Sequence, residues 1–234
     1  MTRALAFGLC LAAVTSSPVS AAGVAVTFSA DDGVQIAGTL WEPGARAAAA
    51  VIMVPGPLHG RGAWTRLGDQ LAARGFVALA IDLRGQGGSG GGDPGEDRTA
   101  YVRDVAAAVH FLQSRPDVQV GAIGIAGATL GATLAVMAAG VSPSVRALAL
   151  LSPTLDFRGL KIEDALKRVG DRAALLVASS EDAYSARSAR ELAQTGPGTR
   201  ELQLLEGAGN GTRMLASRPD LVGTLVDWFS RTLL

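Results

Sequence analysis

The chain has 234 residues, 48% of them hydrophobic and 18% charged, with a formal net charge of zero. That length can bury one sizeable core, and the composition argues against a disordered chain. The balanced charge argues against a nucleic-acid binder or a protein held on an anionic membrane, which would carry a basic excess.

Residues 1–22 read as a secretory signal peptide. Arg3 supplies the positive start, Leu5 to Val14 the short apolar stretch, and Val19-Ser20-Ala21-Ala22 the small residues for cleavage after Ala21 or Ala22. The competing reading, an uncleaved anchor, suffers from an apolar run shorter than the roughly 18 residues a span needs. One domain is therefore expected over 23–234, secreted or periplasmic, with no stable membrane insertion once the leader is removed. Cys10 is the only cysteine, and it lies within the leader. A mature chain would then lack disulfides, thiolate metal sites and a cysteine nucleophile. His59 and His110 are the only histidines, so neither a metal nor another cofactor is expected. Arginine far outnumbers lysine, and alanine and glycine are abundant, a composition that fits a GC-rich bacterial genome.

Val24–Ser29 and Val34–Trp41 flank the turn Asp31-Asp32-Gly33 and predict an antiparallel hairpin. Ala47–Val54 is a continuous apolar run ending at Pro55-Gly56, as expected of a strand buried on both faces. A helix is expected over Trp64–Arg74, a buried strand over Phe76–Leu83, and a helix over Thr99–Ser114, stopped by Pro116. Next come a strand over Val120–Ala126, a helix over Leu130–Ala139 and a strand over Val145–Leu151. Leu155–Val169 reads as a partly helical excursion. A strand over Ala173–Ser179, a helix over Ser185–Gln194, a strand over Arg200–Leu205 and a helix over Asp220–Leu233 follow. This alternation predicts an α/β fold with a mostly parallel, doubly wound sheet, made mixed by the first hairpin. No insertion is long enough to form a large lid.

Ligands and catalytic groups gather at the carboxyl ends of the strands in such a sheet. Three positions fall there in turn. Thr129 lies in Gly127-Ala128-Thr129-Leu130-Gly131, Asp182 follows the Ala173 strand, and Asn210 lies in Gly207-Ala208-Gly209-Asn210-Gly211. Asp82-Leu83-Arg84-Gly85-Gln86-Gly87-Gly88-Ser89 is a fourth motif. Together these stretches resemble the α/β-hydrolase superfamily, above all its small esterase-like and dienelactone-hydrolase-like members with little lid. The resemblance covers nearly all of the expected mature chain. It implies a nucleophile, acid and base at Thr129, Asp182 and Asn210, in the order that this superfamily uses.

Two of the three residues depart from the pattern. The usual elbow is G-x-S-x-G, and Thr129 stands where the serine belongs. Asn210 stands where the resemblance implies histidine, and an amide does not titrate near neutral pH. A triad needs a base that takes and returns the nucleophile's proton. The oxyanion hole would use the Leu130 N–H and a donor from the loop after the Ala47–Val54 strand, at Gly56. Pro57 follows Gly56 and has no N–H; a shifted alignment would use His59-Gly60 and leave Arg61 as the donor. His59 is the candidate substitute base, and His110 reads as structural. Plain readings stand beside these: Thr129 as a turn hydroxyl, Asp182 as a helix cap, and Asn210-Gly211 as a turn pair. Gly85-Gln86-Gly87-Gly88-Ser89-Gly90 matches G-x-G-x-x-G but opens no helix, so no dinucleotide site is expected. Two functions follow. The first is an impaired hydrolase that binds a small ester or acyl-like ligand. The second is an active carboxylic-ester hydrolase using Thr129 with a non-standard base.

Overall fold

In the computed structural model, residues 22–44, 48–57, 59–95 and 97–234 are described. The expected leader, with Cys10, lies outside them except for Ala22.

Alternation around Asp31-Asp32-Gly33 produces the first hairpin, β1 (Val24–Ser29) and β2 (Gln35–Trp41), paired antiparallel from Val24↔Leu40 to Ser29↔Gln35. The apolar run after it is β3 (Ala48–Val54), buried at every residue. A 3₁₀ turn over Arg61–Trp64 leads into α1 (Thr65–Ala73), and β4 (Val77–Ile81) follows. Next are α2 (Ala100–Gln113), β5 (Val118–Ala128), α3 (Leu130–Val141) and β6 (Val145–Leu151). The excursion after β6 holds a two-stranded ribbon, β7 (Asp156–Phe157) and β8 (Leu160–Lys161), and α4 (Glu163–Val169). The chain continues through β9 (Ala173–Ser179), α5 (Ala183–Leu192) and β10 (Arg200–Leu205). A 3₁₀ turn over Gly211–Arg213, α6 (Met214–Ser217) and α7 (Asp220–Leu233) complete it.

Eight strands form one sheet in the order β1-β2-β4-β3-β5-β6-β9-β10. The pairs β1/β2 and β2/β4 are antiparallel, and all others are parallel. The expected doubly wound, mixed sheet is therefore the observed one. Its two faces bury alternate residues of the same strands. Ala50, Ile52 and Val54 of β3 face α2, α3, α4 and α5, joining Val105, Leu134, Leu166 and Leu192. Val51 and Met53 face α1 and α7, joining Leu67, Leu71, Leu225 and Trp228. The Trp228 indole N–H donates to the Leu148 carbonyl at 3.1 Å, so its burial leaves no orphan donor.

Several boundaries differ from the sequence reading. β5 extends to Ala128, because Gly127 and Ala128 still pair with Leu150 and Leu151 of β6. β4 stops at Ile81; the Asp82 N–H still donates to the Ala37 carbonyl at 2.9 Å, while its carboxylate accepts from the Arg61 and Gly88 N–H groups. Helix α5 begins two residues early because Asp182 caps it, its carboxylate accepting from the Ser185 N–H at 3.1 Å.

Candidate active site

The elbow is a strand-to-helix junction with one residue in it. β5 ends at Ala128, α3 starts at Leu130, and Thr129 takes φ 51°, ψ −111° to join them. A β-branched residue rarely adopts positive φ, so the backbone here is strained. The flanking glycines permit the turn. A Cβ on Gly127 would lie 2.2 Å from the Gly131 carbonyl oxygen, and one on Gly131 would lie 2.2 Å from that of Val54. The Thr129 N–H donates to the Leu151 carbonyl at 2.9 Å, fixing the junction to β6.

The threonine side chain is held in one orientation by its neighbours. Its hydroxyl lies against Gly56, where an added Cβ would come within 2.4 Å of Oγ1. Its methyl lies against Gly211, where an added Cβ would come within 3.0 Å of Cγ2. The hydroxyl thus faces the loop after β3, and the methyl faces the loop that carries Asn210. Oγ1 is buried and has no hydrogen-bond partner among the described residues.

Asn210 is held opposite by three contacts. The Gly211 N–H donates to Ser152 Oγ at 2.9 Å, and the Ala208 N–H to Ser179 Oγ at 3.2 Å. The Gly207 N–H donates to Glu181 Oε1 at 3.0 Å. Ser152 is fully buried at φ 49°, a second strained residue spent on seating this loop. Asn210 Nδ2 donates to Asp182 Oδ2 at 2.5 Å. A histidine would use its ring N–H in the same way, so the base-to-acid contact survives in form. The asparagine makes no hydrogen bond to Thr129.

Both acids at the end of β9 are held below the ordinary carboxylate range. For Asp182, burial pushes the pKa up, but hydrogen bonds from Ser185, Asn210 and Tyr184 outweigh it. For Glu181, the Ser179 hydroxyl, then the Gly207 N–H, bring the pKa down to about 2.

Thr129, Asp182, Asn210, Gly56 and His59 all line one cavity of about 390 Å³. The structure thus brings together the residues that the sequence singles out, and Leu130 lines the adjoining cavity across Pro57. Sequence reasoning missed Thr154, Phe157, Arg158, Tyr184 and Arg213, which complete the wall. Phe157 and Arg158 come from the β7–β8 ribbon, two strands of two residues that periodicity cannot reveal. Arg213 follows Asn210 on the 3₁₀ turn, so adjacency to the base position could have pointed to it.

The loop after β3 offers few donors. Pro55 and Pro57 have no N–H. The His59 N–H donates to the Gly56 carbonyl at 3.3 Å. The Arg61 N–H donates to Asp82 Oδ1 at 2.7 Å, so the shifted alignment with Arg61 as oxyanion donor is set aside. Gly56, against the threonine hydroxyl, and Leu130, at the first turn of α3, are left as candidates. The first N–H groups of a helix have no acceptor within it, which leaves the Leu130 amide open. The His59 ring makes no hydrogen bond to Thr129 or to any described carboxylate. His110 is exposed on α2 and lines none of these cavities.

The glycine-rich motif is structural. Asp82 accepts from the Arg61 guanidinium and from the Gly88 N–H, and the Ser89 hydroxyl donates to the Asp82 carbonyl at 2.7 Å. Arg84, almost fully buried, reaches Asp104 and Asp32 at 2.7 to 2.8 Å. The next helix, α2, starts only at Ala100. The loop therefore presents no helix N-terminus to a pyrophosphate. Among the described residues, no three histidine, cysteine, aspartate or glutamate side chains gather in a metal-binding group. No helix of the described residues is long and apolar enough to cross a membrane.

Comparison with known proteins agrees with this architecture. A family model described as serine aminopeptidase, S33, matches residues 45–206. No match is found among curated proteins. An esterase from Pyrococcus furiosus superposes with a TM-score of 0.76 at 18% identity, covering 91% of each chain. A dienelactone hydrolase from Anabaena variabilis gives 0.76 at 19% identity, covering 91% of this chain and 98% of its own. An acetyl xylan esterase from Paenibacillus gives 0.74 at 20%, covering 89% and 83%. At these identities the likeness is one of fold.

Proposed function

The chain belongs to the serine aminopeptidase family of α/β-hydrolases, and from that premise we propose that it is a small-ligand-binding protein whose hydrolytic relay is inoperative. The relay in this superfamily passes a proton from the nucleophile hydroxyl to a base oriented by an acid. The observation that carries the proposal is the orientation of Thr129. Its hydroxyl is turned to Gly56 with no hydrogen-bond partner among the described residues, and its methyl, not its hydroxyl, lies against Gly211 of the loop that carries Asn210. Asn210 gives its amide to Asp182 and has no titrating nitrogen with which to accept a proton.

The loss is substantial in energetic terms. Removing one triad member typically leaves a residual acceleration of about 10³–10⁴-fold over water, from oxyanion stabilisation and binding. Here two of three members differ, and the Gly56-Pro57 sequence limits the oxyanion donors. The cavity itself is present, its lining mixing polar groups with Phe157 and Pro57. Such a mixture suits a small ester- or acyl-like ligand.

A second reading keeps the enzyme alive. His59 lines the same cavity as Thr129, which makes it the candidate base in this reading. Hydrolysis of 4-nitrophenyl acetate by the purified protein separates the two, beside Thr129→Ala and Thr129→Ser/Asn210→His. The ligand-binding reading expects a silent parent and turnover in the double variant. Turnover by the parent that Thr129→Ala abolishes would overturn it in favour of the second reading. We also propose that the protein acts outside the cytoplasm, on the strength of Arg3, the Leu5–Val14 run and the small residues up to Ala22.

A further inference from the structure

The two edges of the eight-stranded sheet are built differently. β10 opens with Arg200 and Glu201, and Glu201 pairs with Arg231 at 2.7 Å. β1 reads Val24-Ala25-Val26-Thr27-Phe28-Ser29, with no charge, no proline and no break in its register against β2. Natural edge strands are normally blunted by charge, proline, a bulge or a covering segment. Among the described residues no strand lies beyond β1, and four of its six residues are exposed.

The ladder determines which groups this edge offers. The Ala30 N–H donates to the Val34 carbonyl at 2.8 Å, so that pair is a hydrogen-bonded one. Such pairs alternate along an antiparallel ladder, and Val24, Val26 and Phe28 therefore spend their backbone groups on β2. The next strand agrees. Ala37, opposite Thr27, accepts from the Asp82 N–H at 2.9 Å, on the side away from β1. The N–H and carbonyl groups of Ala25, Thr27 and Ser29 thus point outward, along the open edge.

The side chains alternate as well. Phe28 stacks on Phe111 of α2 with ring centres 4.7 Å apart, and Val26 packs against the same core. Val24 shares that face and is 57% exposed. Antiparallel pairing of β1 with β1 of a second copy, about a two-fold axis at Thr27, would use all of these groups. It sets Thr27 opposite Thr27 and Ala25 opposite Ser29, so the outward residues of each copy meet in about six backbone hydrogen bonds. On the α2 face it sets Val26 against Phe28 and Val24 against Ala30, apolar pairs of the kind that stabilise sheets. Residue 23 of each copy comes beside Asp31 of the other. The Asp31 carboxylate is 72% exposed, with Arg103 at 3.5 Å. If the leader is removed as proposed above, the new α-ammonium at residue 22 or 23 falls beside that carboxylate, giving one complementary charge at each end of the contact.

We infer that the chain forms a two-fold dimer through β1, joining two sheets into one. The inference goes beyond the ligand-binding reading and does not rest on it. β2 and β4 stand between β1 and β3, whose following loop lines the cavity. The contact is small, so its dissociation constant is on the order of 10 µM.

The test uses a chain over residues 22–234, which holds every strand and helix of the described fold and no cysteine. Sedimentation equilibrium across about 1–200 µM is expected to show monomer giving way to dimer. Monomer throughout would overturn the inference. Thr27→Lys changes an exposed side chain and sets like charges directly opposite at the axis. It should weaken the dimer at least about tenfold with the circular dichroism unchanged, whereas Leu202→Lys on the β10 edge should leave the dimer as it is. The reverse pattern would move the contact to β10 and overturn the assignment to β1. Oxidation reads the register. Thr27→Cys would bring two thiols together across α-carbons about 5.5 Å apart, within disulfide reach, and should give covalent dimer much faster than Ala25→Cys, which faces Ser29. A rate for Thr27→Cys no greater than that for Ala25→Cys would overturn the pairing about Thr27.

Discussion

At the scale of single residues, the molecule holds a β-branched residue in a costly backbone conformation at the elbow. Thr129 holds φ 51°, ψ −111°, a conformation that costs a β-branched residue about 1–3 kcal/mol. Replacing it with glycine relieves that strain and removes the unpartnered hydroxyl, but it also strips away the Cβ and methyl group and adds chain entropy to the unfolded state, together worth a similar amount. Thr129→Gly should therefore unfold in urea at a free energy equal to the parent's or up to about 1 kcal/mol above it. A loss of more than about 1 kcal/mol would show that the elbow is relaxed with threonine in place. Asn210 is different, for its amide donates to Asp182 and offers no nitrogen that titrates near neutral pH. The substitutions themselves were legible in the sequence, since Thr129 and Asn210 stand inside otherwise intact glycine frames. The direction of the Thr129 hydroxyl was not, because it depends on Gly56 and Gly211, which come from loops 73 and 82 residues away along the chain.

At the scale of elements, the base loop is tied down by side chains from the ends of β6 and β9, and Glu181 is its titratable tether. Its folded pKa of about 2 lies below the ordinary value of 4.5. The tether is therefore fully present above about pH 4.5 and is lost as pH falls towards 2. Protection of the Gly207 amide from hydrogen exchange should decline through that window in the parent. In Glu181→Gln it should already be low at neutral pH and flat below it. Equal protection in the two proteins at neutral pH would remove Glu181 from this role. Most elements were visible beforehand, because the buried strands are unbroken apolar runs and the helices end at Gly75, Pro116 and their like. The β7–β8 ribbon and α6 were not, as each strand or helix spans only two to four residues. Two of the cavity's side chains, Phe157 and Arg158, escaped the sequence reading for that reason.

At the scale of the whole molecule, the leader is the feature with a direct test. If the protein is exported, mass spectrometry of the chain recovered from its producing cell should find it beginning at residue 22 or 23 and outside the cytoplasm. A chain retaining Met1–Ala21 in the cytoplasm would end the export proposal. The fold adds a consequence of its own. The candidate site draws its groups from the loop after β3, the elbow after β5, the cap after β9 and the loop after β10. A chain threaded through a translocation pore from its N-terminus would deliver Gly56 early and Asn210 late. No pocket could form on a partly delivered chain, so ligand capture would begin only after passage, on the far side of the membrane.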